Sequence, residues 1–459
     1  MDRFEKSVIC VGALTSFFGV FLASAVSIAL PDIGAEFGMT DVAQNYVTLT
    51  FLLAVAALTI PAGFVSGKFG VRKMMCFGIA VYVISSIVAI FSISQEMFIA
   101  CRLFQGLGCA FLDVGSIALV TCAFEPEVRG KALGLTVVGA YLATSLAAPL
   151  GGFLNTMWGW RSIFCFGVPF LAICLILLVT VINKEWSEYA NIPIDIKGCV
   201  LYVIGIVLAI FGFTMLTEPF GLIVMIIGIL LIVVFILVEL RVKFPAFDVR
   251  LFKNPKFASA NFAALSGYLA TMAITTIINY YLQYIRSFSS AETGLILLVT
   301  PVLQLIMAPI AGRLSDRINP QILAALGILC GGVGIFIISN ITTTTPIYIL
   351  VSAMALQGFG FGLFSSPNTN TIMGSAPPEK TTTSSSAVAT MRVVGQALSM
   401  GMFTLVMQYF MGNVAISPAV YPQLLTSCQV AAGICSLLCL VSVFSSLVGL
   451  RSKGYYNKG

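Results

Sequence analysis

The sequence predicts an all-α polytopic membrane protein with fourteen spans: two six-helix halves, two further transmembrane helices inserted between them, and both termini cytoplasmic. Three observations carry this expectation. The 459 residues are 59% hydrophobic and 9% charged, with a mean hydropathy of +1.03, whereas a soluble domain carries about 25% charged residues. Long apolar runs recur along the whole chain, separated by short charged or Gly/Pro-bearing turns. Polar and Gly/Pro strings also return about 250 residues later. The composition alone excludes a secreted enzyme, a nucleic-acid binder and a disordered protein, because no soluble fold of this size could cover so much apolar surface.

A membrane helix needs ~20 apolar residues. The first run, Ser7 to Leu30, is too long for a signal-peptide core and ends at Pro31 without a small-residue cleavage site, so it reads as the first span. The first half then holds spans at 7–30, 44–62, 74–93, 97–123, 132–154 and 162–182. An inserted pair follows at 198–216 and 220–240, and six more lie at 257–284, 291–311, 321–339, 346–370, 385–411 and 427–450. The expected organisation is a six-helix half over 1–184, the inserted helices and their linkers over 185–256, and a second six-helix half over 257–459.

Lys and Arg fix the orientation. With the N-terminus inside, 20 of the 24 basic residues fall on the cytoplasmic side, which explains the net charge of +6 without a polyanionic partner. Arg161 and Arg286 fall outside, and Arg102 and Arg392 fall within spans. The opposite face carries Asp32, Glu36, Asp41 and Glu96 and the uncharged stretch Gly412–Ser427. The twelve cysteines are scattered through apolar runs and read as small core residues. There is no histidine, so no imidazole can shuttle protons or hold a metal. Neither cofactor nor metal is expected.

The repeat has specific markers. QGLG places Gln105, Gly106 and Gly108 in span four, and QGFG places Gln357, Gly358 and Gly360 in span twelve, 252 residues later. Pro126 and Glu127 recur as Pro378 and Glu379 at the same offset. GFVSGK from Gly63 and GRLSDR from Gly312 lie 249 residues apart, each after the second helix of its half. Duplicated halves with a site between them near mid-membrane are a common plan of secondary transporters.

Several strings resemble one family over essentially the whole chain. GFVSGKFGVRK (Gly63–Lys73, with Gly70 and Arg72), RLFQGLG (Arg102–Gly108), LAAPLGG (Leu146–Gly152) and FPAFDVRLFKNPKF (Phe244–Phe257) are similar to motifs of the major facilitator superfamily, in particular its fourteen-helix drug:proton antiporter branch. The resemblance implies proton-coupled export, with Arg102 tied to coupling. It also implies a gating role for the loop motifs, which are Gly63, Gly70 and Arg72 in the first half and Gly312, Asp316 and Arg317 in the second. Three departures qualify it. Leu22 occupies the place of the branch's acidic residue in helix one, with Ser24 in that of its Thr. Gly67 stands where the second half keeps Asp316. In the family that aspartate helps latch the halves through an arginine and a helix N-terminus, so the first-half latch is expected to be weak. In helix five Pro149 lies one place closer to Gly151 and Gly152 than in the family pattern.

With Leu22 in the acidic place, Asp113 is the one carboxylate deep in a span, and a charge there is costly. It is the candidate proton carrier by elimination; the alternative is a structural carboxylate bonded to hydroxyls or an arginine. Arg102 lies eleven residues earlier, about 20° away on the same helical face and roughly 16 Å along the axis, so the two cannot pair directly. Arg102 either steadies a charged group or ties helix four to helix one. Arg392 is expected to pack or gate more than to touch substrate, and Glu239 to snorkel as an interfacial anchor. Further cavity candidates are Gln105, Tyr141, Thr144, Asn279, Tyr281, Gln304, Gln357, Ser365 and Asn368, since polar groups in lipid should face the interior. Each is equally readable as helix–helix glue. Pro149, Gly151 and Gly152 are expected to break helix five, as a hinge, a seal or plain tight packing, and bulky substitution there is expected to do harm.

The expected function is therefore a proton-driven exporter of small amphipathic compounds, not an enzyme, working as a monomer in a prokaryotic cytoplasmic membrane. Its partners are a small-molecule substrate, protons and the lipid bilayer, with no nucleic acid. A metabolite uniporter or symporter on the same fold is the first alternative, and a non-transporting sensor or membrane enzyme the second.

Overall fold

The computed structural model describes residues 3–39, 41–188, 193–216, 218, 220–412 and 418–451, so positions 413–417 of the uncharged stretch lie outside the described residues. Among the described residues fifteen α-helices follow in chain order. The first eight are α1 (Arg3–Phe37), α2 (Asp41–Phe69), α3 (Val71–Ile90), α4 (Gln95–Ala123), α5 (Pro126–Trp158), α6 (Arg161–Thr180), α7 (Ile196–Thr214) and α8 (Gly221–Glu239). The others are α9 (Pro255–Tyr280), α10 (Ser290–Leu297), α11 (Val299–Ser315), α12 (Pro320–Ile338), α13 (Ile347–Gly374), α14 (Thr381–Met411) and α15 (Tyr421–Val448). Fourteen segments are long and apolar enough to cross a membrane, with α10 and α11 together forming the tenth, and no strand occurs among the described residues.

Of three prolines, one coincides with a break in its helix and two do not. Pro301 lacks an N–H and crowds the carbonyl four residues back, and the tenth span is interrupted there, α10 ending at Leu297 and α11 starting at Val299. Pro31 does not end the first helix: the span closes at Leu30, and α1 continues beyond it to Phe37. That extension is tied down by Asp32, which accepts from Asn155 Nδ2, and by Glu36, which accepts from Arg161 Nη1 and from Trp160 Nε1, each at 2.8 Å. The Arg161 guanidinium first, and the Trp160 indole second, hold the Glu36 carboxyl below the ordinary glutamate range. Pro149 does not break helix five, which runs uninterrupted from Pro126 to Trp158.

The contacts group the chain into two units. One comprises Met1–Val207, Leu231–Val249 and Ala376–Thr390; the other comprises Leu208–Leu230, Arg250–Ser375 and Met391–Gly459. In the first, α1 packs along α5 and α4 is sandwiched by α2 and α3. In the second, α13 is sandwiched in the same way by α11 and α12, and α15 packs on α9 and α12.

The sequence repeat is also a repeat of contacts. Membrane helices approach closely through small residues. A Cβ on Gly108 would lie 2.8 Å from the carbonyl oxygen of Gly78, so α4 crosses α3 backbone to backbone. A Cβ on Gly327, 249 residues after Gly78, would lie 2.7 Å from the carbonyl of Gly360, the counterpart of Gly108. Two residues earlier and on the opposite face, a Cβ on Gly106 would lie 2.7 Å from the carbonyl of Phe51, and one on Gly358 would lie 2.5 Å from the carbonyl of Thr300, which follows Phe51 by 249 residues.

Candidate functional site

In the first unit the polar residues of α4 form a seam with α2, α3 and, through Tyr82, α1; Arg102 ties helix four to helix two and not, as the sequence alternative had it, to helix one. Arg102 is fully buried. Its Nε donates to the Val47 carbonyl at 3.3 Å, its Nη1 donates to Gln105 Oε1 at 2.9 Å, and its guanidinium lies 4.4 Å from the centre of the Phe51 ring. Gln105 Nε2 donates to Ser86 Oγ at 3.2 Å, and Ser86 Oγ donates to the Tyr82 carbonyl at 2.7 Å. Tyr82 in turn donates its hydroxyl to the Phe18 carbonyl of α1 at 2.8 Å. Arg102 Nη2 is buried without a hydrogen-bond partner among the described residues. A fixed guanidinium whose Nη2 group is unused can donate to a transient acceptor.

Asp113 closes the other end of this seam. It is buried, and its Oδ1 and the Cys109 sulfur both face Gly19 of α1, where a Cβ would lie 3.9 and 3.3 Å from them. Phe18 and Gly19 are adjacent, so the same turn of α1 receives the Tyr82 hydroxyl and faces the Asp113 carboxylate. Tyr82 lies in electrostatic range of both Asp113 and Arg102. Leu22, in the place of the branch's helix-one acid, is buried as well. One carboxylate and one guanidinium are thus buried on the same helix, in surroundings of low dielectric where charges act on one another more strongly than in water.

The remaining candidates of the first unit lie on α5. Tyr141 is buried, and Thr144 is exposed with its hydroxyl returned to the Ala140 carbonyl of its own helix at 3.0 Å. Gly151 packs against α1, since a Cβ there would lie 2.8 Å from the Ala25 Cβ, whereas a Cβ on Gly152 would meet nothing within 4 Å. The sequence groups the two glycines; the structure gives only Gly151 a tight contact.

In the second unit the polar candidates occupy α9, α11 and α13. Gln357, the counterpart of Gln105, is buried and accepts from Thr300 Oγ1 at 3.4 Å. Ser365 pairs with the Tyr268 hydroxyl at 3.5 Å, and Asn368 donates to the Ala260 carbonyl at 3.1 Å. Gln304 is half-buried, its backbone against Gly362, where a Cβ would lie 3.1 Å from the Gln304 Cα. Asn279 accepts from Gln283 Nε2 at 2.8 Å. Tyr281 lies in a π-helical turn after α9 and donates to the Thr342 carbonyl at 2.7 Å, with Arg286 beside it. Arg392 is half-buried on α14.

The loop motifs are built into packing. Gly63 faces the start of α14, where a Cβ would lie 2.6 Å from the Ser386 Cβ and 3.0 Å from the Thr382 carbonyl. Gly70 has φ +104° and begins α3, a conformation open to glycine. Arg72 donates from Nε to the Leu178 carbonyl at 2.8 Å, and its backbone N–H donates to Glu185 Oε1 at 2.9 Å. In the second half Gly312 is buried, Asp316 caps the end of α11, and Arg317 is exposed.

Residues 9–400 match the family model of the Major Facilitator Superfamily. The chain belongs to this superfamily. It is similar to the riboflavin transporter RibZ of Clostridioides difficile, 27% identical over 86% of each chain. It is also similar to the multidrug resistance protein Stp of Mycobacterium tuberculosis, 27% identical over 87% of this chain and 75% of Stp. Among solved structures, a double-tryptophan mutant of XylE superposes with a TM-score of 0.72 at 14% identity, covering 99% of this chain and 97% of the other. These relatives are transporters, so this chain is a Major Facilitator transporter of small molecules and not an enzyme. Drug-efflux relatives agree with the fourteen-helix branch that the motifs resemble.

Within this superfamily fold, two sequence expectations need correction. Glu239, at the end of α8, does not snorkel, and Pro149 does not break helix five. Glu239 is 1% exposed; its Oε2 accepts from the Phe247 backbone at 3.4 Å and its Oε1 has no hydrogen-bond partner among the described residues. The connector after α8 folds back over it, which no hydropathy profile reveals. Sequence reasoning also passed over Ser86 and Tyr82, although a serine pair inside the apolar run of α3 was a visible signal, and it passed over Thr300 and Tyr268.

Proposed function

We propose that this transporter is a proton-driven exporter of small amphipathic compounds across a bacterial cytoplasmic membrane, with Asp113 carrying the proton and Arg102 coupling it to the seam. The observation that carries this reading is the position of Asp113. It is a buried carboxylate on α4 that faces Gly19 of α1, beside the Phe18 carbonyl that receives the Tyr82 hydroxyl, and the same helix holds a buried arginine with a spare donor. Protonation removes a buried charge, and alternating access of the two halves converts that change into movement of substrate. The uncharged amide and hydroxyl side chains of α9, α11 and α13 supply hydrogen bonds for substrate, with Gln357, Ser365 and Asn368 foremost.

A second reading, transport of a neutral or weakly acidic metabolite, is favoured by the riboflavin-transporter relative and by Leu22 in the helix-one acidic place. The test is a panel of riboflavin, lipophilic cations and weak acids offered to reconstituted vesicles with an acid interior and the cytoplasmic face outward. Export by antiport predicts accumulation of at least one compound, abolished by a protonophore. Uptake indifferent to the gradient would favour a uniporter, and accumulation only under the reversed gradient would favour a symporter.

A further inference from the structure

The two copies of the loop motif differ at one chemically decisive place: Asp316 of the second copy corresponds to Gly67 of the first. In the structure the connector after α6 is laid against that first loop. The Val71 N–H donates to the Trp186 carbonyl at 2.9 Å, the Arg72 N–H donates to Glu185 Oε1 at 2.9 Å, and the Glu188 N–H donates to the Gly67 carbonyl at 2.7 Å. Glu188 thereby brings a carboxylate to the position where the repeat lacks one.

That carboxylate reaches the second helix it needs. Glu188 Oε1 accepts from the Thr382 backbone N–H at 2.6 Å, and Oε2 accepts from Thr382 Oγ1 at 2.7 Å. Thr382 is the second residue of α14, and the first four N–H groups of a helix have no partner within it. An anion there is favoured by those donors and by the helix dipole, and such charge-assisted bonds are short and strong. The same turn of α14 is packed at Gly63, where a Cβ would collide with Ser386 and the Thr382 carbonyl.

We propose that Glu188 is a positioning residue for transport: from the connector it replaces the carboxylate missing at Gly67 and clasps the start of α14 to the end of α2. On this proposal the first-half latch is displaced by 121 residues along the chain and not absent. The inference rests on alternating access, in which the clasp releases whenever the start of α14 moves away from the end of α2, and is independent of whether protons drive the cycle.

Ser386→Cys supplies the reporter, since Ser386 is buried against Gly63. Its modification by a maleimide in the purified full-length protein, resolved from the native cysteines by peptide mapping, needs neither substrate nor a pH gradient. Its outcome is thus separable from that of the proton-coupling proposal. Glu188→Ala is expected to raise the labelling rate at least tenfold, Glu188→Gln less, and Glu188→Asp within about threefold of the parent. Adding Gly67→Asp to Glu188→Ala is expected to restore protection, a rescue that loss of packing would not give. Each variant is compared at matched gel-filtration profile, and the near-isosteric Glu188→Gln serves where Glu188→Ala does not fold. Unchanged labelling in Glu188→Ala and Glu188→Gln would overturn the proposal, as would equal acceleration in Glu188→Ala and Glu188→Asp.

Discussion

Replacing Gly139 with alanine is expected to lower the thermal midpoint of the purified transporter by a few degrees, while Gly152→Ala leaves it unchanged or slightly raised. Both glycines lie within α5, and alanine is the better helix former by about 1 kcal/mol, so local propensity favours both changes equally. Packing separates them. A Cβ on Gly139 would overlap the backbone carbonyl of Ala13 on α1, an obstacle that no side-chain rotation removes. The two helices must part along their whole contact, and overpacking of this kind costs about 1–3 kcal/mol. Gly152 faces open space, where substitutions stay within about 0.5 kcal/mol. Equal midpoints for the two variants in a fluorescence-monitored melt would show that α1 and α5 do not approach as described.

Arg102→Ala is the second large effect. It removes the hydrogen bonds to the Val47 carbonyl and Gln105, empties the space over the Phe51 ring, and leaves the buried Gln105 oxygen without that donor. Bonds from a charged donor contribute about 1.5–3 kcal/mol each, and an orphaned buried acceptor costs about 1–3 kcal/mol, so the variant is expected to fold poorly or melt well below the parent. Arg102→Lys keeps the charge but not the planar fork that serves Val47 and Gln105 together. It is expected to fold yet transport at least tenfold more slowly. A lysine variant with full transport would mean that only the charge at this position matters.

How much of this was legible beforehand can be traced residue by residue. The fourteen spans follow from hydropathy, and the duplicated glycines Gly106, Gly108, Gly358 and Gly360 announced in sequence the close helix crossings that they make in space. Proline was less informative. Pro31 and Pro149 lie within continuous helices while the tenth span is interrupted just before Pro301, because neighbouring helices and side chains decide whether a freed carbonyl is tolerated. Burial of Glu239 depends on a connector whose path the pattern does not encode. Gly151 and Gly152 are adjacent in sequence but point to different surroundings. Gly67 reads in sequence as a lost carboxylate, and Glu188, far along the chain and without a motif around it, becomes visible only once the connector is folded.

The central claim, that Asp113 carries the proton that drives transport, is tested most directly by comparing two modes of movement in the same vesicles. Substrate exchange at equal pH on both sides needs the alternating cycle but no net proton transfer, whereas accumulation under a pH gradient needs both. Asp113→Asn is nearly isosteric and cannot ionise. It is expected to retain exchange within about threefold of the parent while losing gradient-driven accumulation, with Glu239→Gln as the control for the buried carboxylate at the end of α8. Loss of exchange together with accumulation, or accumulation that survives in Asp113→Asn and disappears in Glu239→Gln, would contradict the assignment.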